Sequence, residues 1–132
     1  MIERIDLARV RLALQAHAAD SAVHLDSSKR HAAVAAVLRD AEHGAEALLI
    51  RRAAREGDPW SGHMAFPGGQ REPHDQDLLD TAVRETHEEI GLDLREHAAL
   101  LGRLETLPAV AGGRRIGMNV TPFVFELRSE PP

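Results

Sequence analysis

At 132 residues, with 43% hydrophobic and 28% charged side chains, the chain has the size and composition of one globular domain, which excludes a disordered segment. A formal net charge of −5 without any basic run argues against nucleic acid as a partner, and the lack of cysteine excludes disulfides and thiolate chemistry. No apolar run reaches the length of a membrane span, and Met1-Ile2-Glu3-Arg4-Ile5 lacks the basic and apolar regions of a signal peptide, so a cytoplasmic location without membrane attachment is expected.

Ile2, Ile5, Ala8, Leu12 and Ala16 recur at helical spacing and predict an amphipathic helix over residues 2–18. Residues 20–30 are polar and predict a loop, so 1–30 form a helix-and-loop prelude to a single domain covering 1–132. His31–Arg39 and Ala45–Arg52 predict two strands, with a hairpin turn at Asp40–Gly44 between them. Ala53–Gly62 predicts a loop, and it holds Trp60, a core anchor or a base-stacking residue. His63–Phe66 predicts a short strand that enters a Pro67-Gly68-Gly69 turn, whose glycines permit positive φ and close approach of a ligand. A helix follows, capped by Asp75 or Asp77 and stopped at Gly91. Ala99–Leu107 and Met118–Leu127 predict later strands, joined through Gly112-Gly113-Arg114-Arg115, and there is no internal repeat or linker.

The helix before Gly91 carries the chemistry. Glu85, Glu88 and Glu89 stand at i, i+3 and i+4 and share one face, while Val83, Thr86 and Ile90 fall on the other and predict its packed side. Three clustered carboxylates repel one another, and a hard divalent cation such as Mg²⁺ or Mn²⁺ would offset that repulsion. The competing interpretation of Glu-x-x-Glu-Glu is a solvated acidic face. His63, His74 and His87 show no metal-ligand spacing that rivals the carboxylates.

Residues 66–92 resemble the Nudix box: Gly, five residues, Glu, seven residues, then Arg-Glu-apolar-x-Glu-Glu-x-Gly-apolar. Its second half fits Arg84-Glu85-Thr86-His87-Glu88-Glu89-Ile90-Gly91-Leu92. The first half departs from the pattern. Asp75 stands where the box has Glu, one extra residue separates it from Arg84, and Thr86 replaces a larger aliphatic. These departures, with Phe66-Pro67-Gly68-Gly69, are similar to the coenzyme A diphosphatase branch of that family. The resemblance implies an α/β fold, a Nudix-type α/β/α sandwich with a mixed sheet. It also implies a further helix after Met118–Leu127, which is absent here, so that the helix at 2–18 takes over part of its role or the sequence is truncated.

The same resemblance implies site roles. Glu85, Glu88 and Glu89 with the Gly69 carbonyl would hold Mg²⁺ or Mn²⁺, Arg84 would orient Glu85, and Asp75 is divided between helix cap and outer-shell ligand. Glu85, Arg84 and Glu88 make up the implied catalytic set. Leu48-Leu49-Ile50-Arg51-Arg52 is similar to the start of the branch's coenzyme A motif, which makes Arg52, Arg51, Gly68 and Phe66 candidates for substrate binding. The intermediate Arg of that motif does not align, since Arg55 comes early. The expected activity is Mg²⁺-dependent hydrolysis of a diphosphate linkage in a nucleotide, with coenzyme A or acyl-coenzyme A giving phosphopantetheine and adenosine 3′,5′-bisphosphate. ADP-ribose, a dinucleotide or a nucleoside triphosphate is the alternative substrate, and a non-catalytic nucleotide-binding module the alternative class. Glu85, Glu105, Glu126 and Glu130 are the carboxylates available to accept the water's proton.

Overall fold

The structure is a computed structural model and describes residues 6–16, 29–51, 56–57, 62 and 64–129. In chain order the elements are α1 (Leu7–Ala16), β1 (Arg30–Ala41), β2 (Gly44–Ala47), β3 (Ile50–Arg51), β4 (Met64–Ala65) and β5 (Gly68–Gln70). Then come α2 (Leu78–Ile90), α3 (Leu94–His97), β6 (Ala98–Arg103), β7 (Leu107–Ala111) and β8 (Arg114–Leu127). β1 and β8 are long and run parallel at the centre of a mixed sheet, from Arg30 opposite Met118 to Leu38 opposite Glu126. Each is flanked on its outer side by two short antiparallel strands, β5 and β2 on β1, β7 and β6 on β8. β3 and β4 form a separate antiparallel pair.

Alternation along the central strands builds two faces. Ala33, Ala35 and Val37 of β1 and Phe123 and Phe125 of β8 bury against Leu78 and Ala82 of α2, with Leu92 and Leu94 completing that core. Ala33, Ala35 and Ala82 have no exposed surface, and their small side chains let α2 lie close on the sheet. On the other face α1 is tied down by three separate contacts. The Leu7 N–H donates to Asp40 Oδ1 at 3.0 Å, Arg11 pairs with Glu126, and Leu14 packs against Gly102. Helices therefore cover both faces, and the expected α/β/α sandwich with a mixed sheet is the fold observed.

Several expected elements differ in detail. The inward stripe of α1 is Leu7, Val10, Arg11 and Leu14, while Ala8 and Leu12 face solvent. Helical spacing alone allows either stripe, and the sheet's need for a cation opposite Glu126 selects the one that includes Arg11. The strand expected over 45–52 breaks at Leu48-Leu49 into β2, which follows β1, and β3, which leaves the main sheet to pair with β4. The single strand expected over 99–107 is likewise two, β6 and β7, with α3 just before it. On α2 the buried residues are Leu78, Thr81, Ala82 and Thr86, with Val83 half-buried, whereas Ile90 is exposed near the helix end. The β7–β8 turn falls at Gly112 and Gly113, where positive φ at both positions matches the twist of a two-residue hairpin.

Candidate active site

The Pro67-Gly68-Gly69 segment is not the positive-φ turn expected from its sequence. Gly68 and Gly69 begin β5, opposite Val34 and Ala33, and neither has positive φ. Both positions need glycine for close approach instead. A Cβ on Gly68 would stand 2.3 Å from the Ala33 carbonyl oxygen and 2.7 Å from Val34 Cα. A Cβ on Gly69 would stand 2.6 Å from the Glu85 carboxylate carbon and from Oε1, so the bare backbone makes the seat in which that carboxylate rests.

Strand pairing also decides which backbone groups face the helix. Pro67 O accepts from the Ala35 N–H and the Arg71 N–H donates to His31 O, both at 2.8 Å. Residues 67, 69 and 71 therefore turn their polar groups towards β1, and Gly68 and Gln70 turn theirs outward. The Gly68 N–H donates to Glu89 Oε1 at 3.0 Å, and Gln70 O accepts from Arg84 Nη2 at 3.2 Å. The carbonyl ligand expected from Gly69 is thus committed to the sheet, and the outward carbonyl of the glycine pair belongs to Gly68.

α2 begins at Asp77, which accepts from the Asp80 N–H, and ends at Gly91 in the left-handed conformation with φ 72°. That settles the cap on Asp77 and frees Asp75 for a different role. Asp75 is buried and receives Arg84 as a two-pronged fork, Nε to Oδ1 and Nη2 to Oδ2, both at 3.0 Å. Thr81 Oγ1 and the Glu72 N–H also donate to its Oδ2. The Arg84 guanidinium holds the Asp75 carboxyl well below the usual carboxylate range. The same guanidinium reaches the acidic face, with Nη1 donating to Glu85 Oε1 at 3.0 Å and to Glu88 Oε2 at 3.2 Å. Burial pushes the Glu85 carboxyl up, and Arg84 partly offsets it.

The structure therefore brings together Arg84, Glu85, Glu88, Glu89, Gly68 and Gly69. Five carboxylates, those of Glu72, Asp75, Glu85, Glu88 and Glu89, gather around Arg84 and β5, and Arg84 pairs with the first four of them. Among the described residues no three acidic or imidazole groups converge on one point, because Glu85 and Glu88 are turned onto Arg84 and Glu89 onto Gly68. The hard oxygen donors, their clustering and the Gly69 seat nevertheless suit a divalent cation. His74 and His87 are exposed, and His74 lies near Glu72 and Asp75 rather than among the carboxylates of α2.

Of the substrate-binding candidates, Arg51 is exposed on β3 opposite Met64, and Phe66 is partly exposed just before Pro67. Arg52, Arg55, Trp60 and His63 lie outside the described residues. The Asp75–Arg84 fork escaped sequence reasoning. Its only signal was that an Arg next to Glu85 and one turn before Glu88 needs a partner that fixes its direction.

Residues 29–130 match the NUDIX domain family. The chain belongs to that family. Among curated proteins, an uncharacterised protein of Schizosaccharomyces pombe is 56% identical over 59 residues, covering 44% of this chain and 18% of that protein. A mitochondrial coenzyme A diphosphatase of Mus musculus is 46% identical over 56 residues, covering 41% of this chain and 27% of that enzyme. The chain thus spans less than a third of the length of these two relatives. Among solved structures, a C. elegans Ap4A hydrolase aligns with a TM-score of 0.59 at 26% identity, covering 75% of this chain and 68% of that one. The Nudix domain accounts for the α/β sandwich.

Proposed function

We propose that this Nudix domain hydrolyses the diphosphate linkage of a nucleotide derivative in the presence of Mg²⁺ or Mn²⁺, with coenzyme A or an acyl-coenzyme A as substrate. The observation that carries this reading is the Glu85 carboxylate, seated on Gly69 and aimed by an Arg84 that Asp75 holds from behind. Nudix enzymes generally need divalent metal ions. Glu85, Glu88, Glu89 and the Gly68 carbonyl would hold the ion here. When bound, it supplies charge neutralisation at the diphosphate and a more acidic water. Arg84 keeps Glu85 in place and opposes the upward push of burial on its carboxyl, and Glu85 or another carboxylate accepts the water's proton.

Arg52, Arg51 and Phe66 supply substrate contacts in this reading, as in the sequence motif they resemble. The coenzyme A assignment is supported by that motif and by the likeness to the mouse coenzyme A diphosphatase. A dinucleotide is the second reading, favoured by the likeness to the C. elegans Ap4A hydrolase over a larger part of the chain. A binding module without activity is disfavoured because Glu85, Glu88 and Glu89 are all present.

The test is a hydrolysis screen of the purified protein with Mg²⁺ across coenzyme A, ADP-ribose, diadenosine tetraphosphate and nucleoside triphosphates. Coenzyme A is expected to yield phosphopantetheine and adenosine 3′,5′-bisphosphate, and Arg52→Ala to impair it more than its 3′-dephospho form. Turnover of another substrate but not coenzyme A would overturn the substrate assignment. Turnover of none would overturn the enzymatic reading.

A further inference from the structure

β3 and β4 make a ribbon that leaves the main sheet just before the Gly68-Gly69 segment. The Leu48 N–H donates to Val37 O at 2.9 Å and the Ala35 N–H to Pro67 O at 2.8 Å, so the chain departs from β1 and returns to it two residues apart. Between those points Ile50 stands opposite Ala65 and Arg51 opposite Met64, and one further step of that register sets Leu49 level with Phe66. Side chains alternate along a strand, which puts Leu49, Arg51, Met64 and Phe66 on one face and Ile50 and Ala65 on the other. Burial agrees with that division. Ile50 and Ala65 are half-buried, whereas Leu49, Met64 and Phe66 are 46%, 55% and 38% exposed, and Arg51 is exposed beside them. Three large apolar side chains together in solvent mark a surface that meets a ligand or a partner.

We propose that this ribbon face receives the acylated thioester end of an acyl-coenzyme A, with Leu49 and Met64 as its principal contacts. This rests on the coenzyme A reading above. The face is continuous with the candidate site, because Phe66 precedes Gly68 by two residues and the Gly68 N–H donates to Glu89 Oε1 at 3.0 Å. Two peptide units separate the Cα atoms of Phe66 and Gly68 by no more than about 8 Å. Met64 extends the apolar strip by about 7 Å more. An extended pantetheine arm of about twelve bonds spans about 15 Å at the reach of an extended chain, which sets its thioester level with Met64 when the diphosphate lies at the carboxylates. The composition of the face suits an acyl chain better than a nucleobase. Met64 is unbranched and moulds to an irregular apolar ligand, and Leu49 and Phe66 add apolar area beside it. A base also asks for hydrogen-bond acceptors, and the Arg51 guanidinium offers only donors.

The experiment measures binding apart from turnover, by calorimetry with Mg²⁺ present. Its probes are phosphopantetheine and S-octanoyl-phosphopantetheine, which lack the diphosphate linkage and are not cleaved. Wild-type protein is expected to bind the octanoyl form about tenfold more tightly, since the chain leaves water for the apolar strip. Met64→Ser and Leu49→Ser are each expected to reduce that preference severalfold, and the double variant to abolish it, while Met64→Leu keeps it. Both side chains are exposed, so thermal melting is expected to stay at the wild-type value and identifies any variant that fails to fold. Equal affinity for the two probes, binding of neither, or a preference that survives in the folded double variant would overturn the proposal. A wild-type dimer that the double variant dissociates would overturn it too, by assigning the face to a second copy of the chain. Failure of the substrate reading shows separately. An octanoyl preference in a protein that hydrolyses neither coenzyme A nor octanoyl-coenzyme A would remove that reading and leave the ribbon as an acyl-binding surface.

Discussion

Asp75 and Arg84 meet as a bidentate fork, and the third nitrogen of the same guanidinium reaches Glu85 and Glu88. One buried carboxylate therefore sets the direction of the cation that aims the acidic face. Asp75→Asn keeps the size and removes the charge. It is expected to cost about 3–5 kcal/mol of stability in denaturant unfolding, because Arg84 is left half-buried without its counter-charge. In conditions where the variant is folded, kcat is expected to fall about tenfold or more through misplacement of Glu85. Unchanged stability and rate would remove the fork from any role.

The two glycines of β5 separate steric effects on fold from effects on chemistry. Gly69→Ala places its methyl against the Glu85 carboxylate, a side chain that can swing away. Melting is expected to change little while kcat falls about a hundredfold. Gly68→Ala meets the Ala33 carbonyl and Val34 Cα, which are backbone and cannot yield. That variant is expected to lose stability first. The reverse pattern would mean that the Glu85 seat has no part in turnover.

Metal binding can be read without substrate. Wild-type protein is expected to bind Mn²⁺ by calorimetry or electron paramagnetic resonance, and Glu88→Gln and Glu89→Gln to weaken that binding. Each substitution is also expected to cost about a hundredfold or more in rate at saturating Mg²⁺. A folded double variant with normal turnover would remove this helix face from the mechanism.

Stability should decline in acid for a definable reason. Asp75 and Glu126 are both held below their ordinary values, Asp75 chiefly by its hydrogen bonds to Arg84 and Glu126 chiefly by those to Arg11. A group depressed in the folded state stabilises the protein above its unfolded value, about 4 for these carboxyls, and loses that contribution as pH falls through its folded value. Unfolding free energy is therefore expected to hold steady near neutrality and to drop as pH falls below about 4. Asp75→Asn and Glu126→Gln should each make the drop shallower. A slope unaffected by both would assign acid sensitivity to other groups.

Much of this was legible in the chain because it follows from local spacing. The shared face of Glu85, Glu88 and Glu89, the stop at Gly91 and the alternation in β1 are near-neighbour patterns. What escaped is non-local. Leu48-Leu49 looks like strand interior, yet the chain there leaves one sheet for another. Gly68 and Gly69 look like a turn because the demand on them comes from Ala33, Val34 and Glu85, distant in sequence. Asp75 stayed divided between a cap and an outer-shell ligand because only the folded chain brings Arg84 back over it. The choice between two helical stripes in α1 likewise depended on Glu126, which lies at the far end of the chain.

The parallel pairing of β1 with β8 joins nearly the first described strand residue to the last part of the chain, with Arg30 opposite Met118. Everything assigned to the candidate site lies in the loop that this pairing closes. Closing so long a loop precedes any reward from the central contacts, which makes folding slow compared with a helical protein of this size. A nascent chain emerging from the ribosome can wind α2 early, but it lacks the middle of its sheet until β8 has been synthesised. The acidic face thus spends that interval without the core beneath it, and the domain becomes competent only when its final strand slots into the centre.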